Sequence, residues 1–116
     1  MKKLLFAALM LLSTSAVFAG DSEPLKAILK AQTYAEALDL LKANLAQITD
    51  NAEKARAYDK LYELAMKKVT AEQAVQLENE TNKQMGKDGN KPVDEKGLYE
   101  AVGQAFDAAA EVEKYD

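Results

Sequence analysis

Carboxylates are the only side chains in this 116-residue chain numerous enough to suggest chemistry. There is no His, no Cys and no Trp, and beyond residue 19 the one serine is Ser22. Those absences remove Ser-His-Asp and Cys-His nucleophiles, zinc held by His or Cys, and haem held by His. No glycine-rich phosphate loop occurs either. The 19 Asp and Glu residues leave room for a glycosidase-like pair of carboxyls facing each other across a cleft. Most of them, however, fall on polar helix faces and in first helical turns, where negative charge suits the helix dipole. A small helical domain also offers little depth for a substrate cleft. Lys87-Asp88-Gly89-Asn90 suggests a calcium loop, but Pro92 stands where the third ligand belongs and Tyr99 where the closing Glu belongs. The expectation is a non-enzymatic protein with no cofactor and no metal.

Two other features stand out. Tyr58 and Tyr62, one helical turn apart, are expected to bury their rings and keep their hydroxyls at the rim, the alternative being a stacking platform for a ligand. Gly103 interrupts an alanine-rich stretch at a cost of about 1 kcal/mol relative to Ala. A neighbouring helix packed against its bare backbone would offset that cost.

The elements that position these residues read as helices throughout, with no segment alternating at period two. Ser22 followed by Pro24 starts the first, with Leu25, Ile28 and Leu29 inward. Thr33-Tyr34-Ala35-Glu36 is a capping box opening a second helix, with Tyr34, Ala37, Leu38, Leu41, Leu45 and Ile48 on one face. Asp50-Asn51-Ala52-Glu53 opens a third, which turns Ala55, Tyr58, Leu61, Tyr62, Ala65 and Val69 inward. Thr70-Ala71-Glu72-Gln73 is a further capping box and predicts a fourth, weaker helix. Residues 86–93, with Gly86, Gly89 and Pro92, form the clear loop. Asp94 then caps a fifth helix with Leu98, Ala101, Val102, Ala105, Ala109 and Val112 inward. Short connections between capped helices predict an all-α fold of about five helices in stacked antiparallel hairpins.

The N-terminal residues carry an address. Lys2 and Lys3 precede the apolar run Leu4–Leu12, and the small-residue stretch ends in Val17-Phe18-Ala19, a signal-peptidase pattern. Residues 1–19 are therefore expected to be a signal peptide cleaved after Ala19, and residues 20–116 one exported domain, periplasmic or secreted, of bacterial type. The net charge of −4 becomes more negative once Lys2 and Lys3 are removed, which argues against nucleic acid as a partner. Nothing after Ala19 is apolar for long enough to anchor the chain in a membrane. With no disulfide to draw on, stability rests on packing.

Tyr99-x-x-Val102-Gly103-x-x-Phe106 follows the first-helix pattern of a tetratricopeptide repeat, and Tyr58-x-x-Leu61 repeats its beginning. The chain resembles the N-terminal region of exported tetratricopeptide-repeat-like helical proteins of Gram-negative gut bacteria. The segments that carry the resemblance are 33–46 (TYAEALDLLKANLA), 54–70 (KARAYDKLYELAMKKVT) and 97–116 (GLYEAVGQAFDAAAEVEKYD). The repeats are degenerate: Tyr62 and Ala65 replace the Gly and second aromatic of the pattern, and the last repeat lacks a second helix. Relative to that family, either the chain reads as a truncated version, or its last helix has an open face that another molecule covers.

The resemblance implies binding of a protein or peptide along a concave surface lined by first helices. Carried over, the groove-facing positions are Arg56, Asp59 and Glu63 on the third helix and Glu100, Gln104 and Asp107 on the last. The alternative is a small periplasmic chaperone-like or structural protein that acts through an exposed apolar face, with self-association through the C-terminal helix.

Overall fold

A computed structural model describes residues 17, 18 and 20–115. The expected leader and its cleavage point Ala19 lie outside those residues, apart from Val17 and Phe18. The described residues are all-helical, without strands, and form four α-helices: α1 (Glu23–Leu29), α2 (Tyr34–Asn44), α3 (Asn51–Gln84) and α4 (Glu95–Tyr115), with a short 3-10 turn at Leu45–Gln47.

Local chemistry sets most of the helix starts. Ser22 is extended and its hydroxyl oxygen accepts from the Leu25 amide, with Pro24 in the first turn. The same hydroxyl donates to Glu53 in the first turn of α3, and the Ser22 amide donates to the other Glu53 oxygen at 3.3 Å. At α2 the Thr33 hydroxyl accepts from the Glu36 amide at 3.2 Å, while Glu36 accepts from the Gln32 amide at 3.2 Å. The reciprocal bond thus reaches one residue further back than a standard capping box. Asp50 caps α3 by accepting from the Ala52 amide at 2.8 Å. Asp94 caps α4 by accepting from the Gly97 amide at 2.9 Å.

Two sequence expectations need correction. The first is the number of helices. Thr70-Ala71-Glu72-Gln73 starts nothing, because α3 runs through it without a break for 34 residues. Glu72 does not reach back to an orphan amide. It pairs instead with Lys68, one turn earlier, at 3.0 Å and accepts from the Asp94 amide at 3.0 Å. With no Gly or Pro between Asn51 and Gln84, nothing interrupts propagation until Gly86. Gly86 takes φ +75° and closes a Schellman end, the Gly86 and Lys87 amides donating to the Lys83 and Asn82 carbonyls. The third and fourth expected helices are therefore one.

The second correction is at the end of α2. The apolar stripe predicts a helix continuing through Leu45 and Ile48, but the helix stops at Asn44, whose side-chain amide donates to the Leu40 carbonyl. The tighter turn that follows leaves Leu45 43% exposed and still buries Ile48.

α3 and α4 form an antiparallel hairpin, and α1 and α2 pack against the N-terminal part of α3. The larger apolar cluster joins Leu25, Ile28, Ala37, Leu41 and Ile48 to Ala57, Leu61 and Ala108. A smaller cluster, Val69, Leu98 and Ala101, holds the other end of the hairpin. Alanines at 101, 105 and 108 let α4 lie close to α3. Tyr58 and Tyr115 stack at 5.9 Å across the hairpin, and both central tyrosines, Tyr58 and Tyr62, flank the larger cluster half-buried. Beyond Glu72 the last three turns of α3 extend past the start of α4, giving a long axis of 55 Å.

Candidate functional site

Of the six carried-over groove positions, Arg56, Asp59 and Glu63 lie on α3 and Glu100, Gln104 and Asp107 on α4. Arg56 holds Asp21 through both guanidinium nitrogens, one bond measuring 3.1 Å, and the Phe18 ring lies 4.8 Å from its centre. That pairing joins the segment before α1 to α3 and holds the Asp21 carboxyl below its ordinary range. Asp59 and Glu63, one and two turns further along α3, are half-buried. Asp107 is exposed on α4, and its charge adds to burial in pushing the Tyr34 hydroxyl up.

Glu100 and Gln104 do come together. They line an open cleft of about 520 Å³ between the N-terminus of α2, the middle of α3 and the first half of α4, along with Thr33, Tyr34 and Lys67. Its edge carries a three-membered charge group. Lys68 lies 3.0 Å from Glu72 and 2.9 Å from Asp94. Asp94 is held low first by the Gly97 amide and then by Lys68, Glu72 first by the Asp94 amide and then by Lys68. Lys68 is pushed up, chiefly by its bond to Asp94. Both carboxylates are occupied in holding the fold together, since Asp94 caps α4 and Glu72 anchors that cap to α3. Ser22 is likewise engaged as a cap. Among the described residues no group of three or more acidic side chains is placed to hold a metal ion. No helix among them is long and apolar enough to cross a membrane.

A different surface emerges on the outer side of α4. Tyr99 is 74% exposed and Phe106 72% exposed, two turns apart on one face. Between them a Cβ on Gly103 would meet no atom within 4 Å. The sequence expectation of a helix packed against Gly103 is therefore not met among the described residues. The physical reason lies in the rotation of α4. Its buried side is Leu98, Ala101, Ala105 and Ala108, and that choice turns Tyr99, Gly103 and Phe106 to solvent together. The repeat pattern singles out these three residues, and of them the sequence predicts a packed neighbour only for Gly103. The distinguishing signal is in the sequence as well: the alanine face opposite them is the one that permits close approach to α3.

No family model matches the chain, and neither a curated protein nor a solved structure gave a match.

Proposed function

We propose that this is an exported, non-enzymatic helical protein, periplasmic or secreted, that docks another polypeptide on the outer face of α4. One observation carries the reading: two large aromatic side chains, Tyr99 and Phe106, stand in water on either side of an open glycine. Leaving them exposed forgoes about 1.5–3 kcal/mol of burial for a side chain such as Phe106. An amphipathic helix is the partner chemistry that fits, since its apolar ridge can enter the gap over Gly103 and cover both rings. The tetratricopeptide-like resemblance supports the same class of function, though through a different surface from the carried-over groove. Of the carried-over groove positions, Glu100 and Gln104 line the cleft, and Arg56 pairs with Asp21.

The test is photo-crosslinking in the producing cell, with benzoylphenylalanine in place of Phe106 and, as control, in place of the exposed Gln76 on α3. A crosslinked polypeptide from position 106 and none from 76 is expected. No product from position 106 or from position 99 would reject the docking face.

A further inference from the structure

The outer face of α4 is complementary to itself. Positions 96, 99, 103, 106, 110 and 113 alternate steps of three and four residues, the spacing of a coiled-coil seam, and all six are exposed. Their identities are Lys96, Tyr99, Gly103, Phe106, Ala110 and Glu113. Laid antiparallel against a second α4, with the two-fold axis between Gln104 and Ala105, each residue meets its complement. Lys96 faces Glu113, Tyr99 faces Ala110, and Phe106 faces Gly103, each pairing occurring twice by symmetry. Every apolar layer sets a large ring against a small residue, and both ends carry opposite charges. A parallel alignment would instead put Lys96 on Lys96, Gly103 on Gly103 and Glu113 on Glu113.

We infer that the polypeptide docked on this face is a second copy of the same chain, and that the protein forms an antiparallel α4–α4 homodimer. The inference rests on the docking role proposed for Tyr99 and Phe106 and names its occupant. Phe106 enters the open space above the second copy's Gly103, where no atom of the described residues would lie within 4 Å of a Cβ. On the flank, Glu100 and Lys114 of opposite copies lie along the same edge, whereas Asp107 faces its own counterpart and opposes association. One helix from each chain covers less than the roughly 1,200 Å² of a standard interface, so the dimer exchanges reversibly with monomer.

Sedimentation equilibrium on the whole chain, expressed from its own Met1 and sampled from about 5 µM to about 1 mM to capture a weak interface, tests both contact and register. Wild type is expected to show a concentration-dependent dimer. Gly103→Leu fills the space Phe106 must enter and is expected to remain folded but monomeric. Lys96→Glu and Glu113→Lys each set like charges against each other and are expected to weaken association about three- to tenfold, as exposed pairs do. The Lys96→Glu/Glu113→Lys double variant restores wild-type affinity, because the swap preserves antiparallel complementarity. A dimer indifferent to the single swaps, or to Gly103→Leu, would overturn the inference. So would a monomer at every concentration. In that case, a crosslink from position 106 to an unrelated polypeptide keeps the docking face and rejects only the second copy, whereas no crosslink rejects both.

Discussion

Asn79 holds the backbone of Lys91 from both sides: its side-chain amide donates to the Lys91 carbonyl at 2.9 Å, and its side-chain oxygen accepts from the Lys91 amide at 3.0 Å. The bond pair fastens the loop after α3 back along the last turns of that helix. Lys91 adds an ion pair to Glu78 at 2.6 Å. Gly89 makes the close approach possible, because a Cβ there would run into the Asn79 carbonyl and the Lys83 side chain. The Asn79 side chain is thus a loop anchor in this fold.

Asn79→Ala should leave the α3–α4 hairpin folded and release residues 86–93. Hydrogen exchange is expected to speed up at the Lys91 amide and to stay slow at Leu61 and Ala105, which lie in the helical core. Gly89→Ala should have the same local effect, costing about 1–3 kcal/mol as an overpacked site. Unchanged exchange at Lys91 in both variants would show that the loop is held by something other than Asn79.

The Lys68–Glu72–Asp94 group sets a second expectation. Glu72 and Asp94 are held below their ordinary values of 4.5 and 3.8. A carboxyl depressed by folding contributes stability that is complete above its unfolded value and is lost as pH falls through the folded one. Lys68 is raised above 10.5, so its contribution is complete below that value and is lost as pH rises through the folded one. Urea midpoints should therefore be level through neutral pH, fall below about pH 4.5 and fall again above about 10.5. The Asp21–Arg56 pair adds to the acid limb in the same direction. Lys68→Met should make the acid limb shallower, because one cause of both depressed carboxyls is gone. A salt-independent acid limb identical in wild type and Lys68→Met would contradict this account, since exposed charges are screened.

How legible the fold is in the sequence follows from the range of each signal. Ser22, Thr33, Asp50 and Asp94 act within three residues of themselves, and all four cap the helices that their positions predict. Period alone places Leu98, Ala101 and Ala105 inward, and they are buried. Three features depend on more distant contacts, and there the local signal misleads. Thr70-Ala71-Glu72-Gln73 has the composition of a helix start, but Glu72 is taken by Lys68 and by the Asp94 amide, 22 residues away. A glycine in an unbroken helix is costly and so predicts a neighbour for Gly103, yet no such neighbour lies among the described residues. Arg56, carried over as a groove position, is matched by Asp21, 35 residues earlier, a pairing that no local signal shows.

Thr70 separates the continuous helix from the capped pair by the sign of a single measurement. As an N-cap, Thr supplies an oxygen to an orphan amide, and Thr→Ala costs about 1 kcal/mol. In a helix interior Thr is instead a poor residue, its branched side chain losing rotamer freedom, and Ala is better by up to about 0.7 kcal/mol. Thr70 is exposed and lies mid-helix in α3, so packing does not obscure the comparison. Thr70→Ala should therefore raise the urea midpoint. Glu72→Gln in the same chain should lower it by loosening the hold on Lys68 and the Asp94 amide. If Thr70→Ala lowered the midpoint instead, α3 would be two helices meeting at that residue, and the overhanging turns that Asn79 fastens to Lys91 would belong to a separate element.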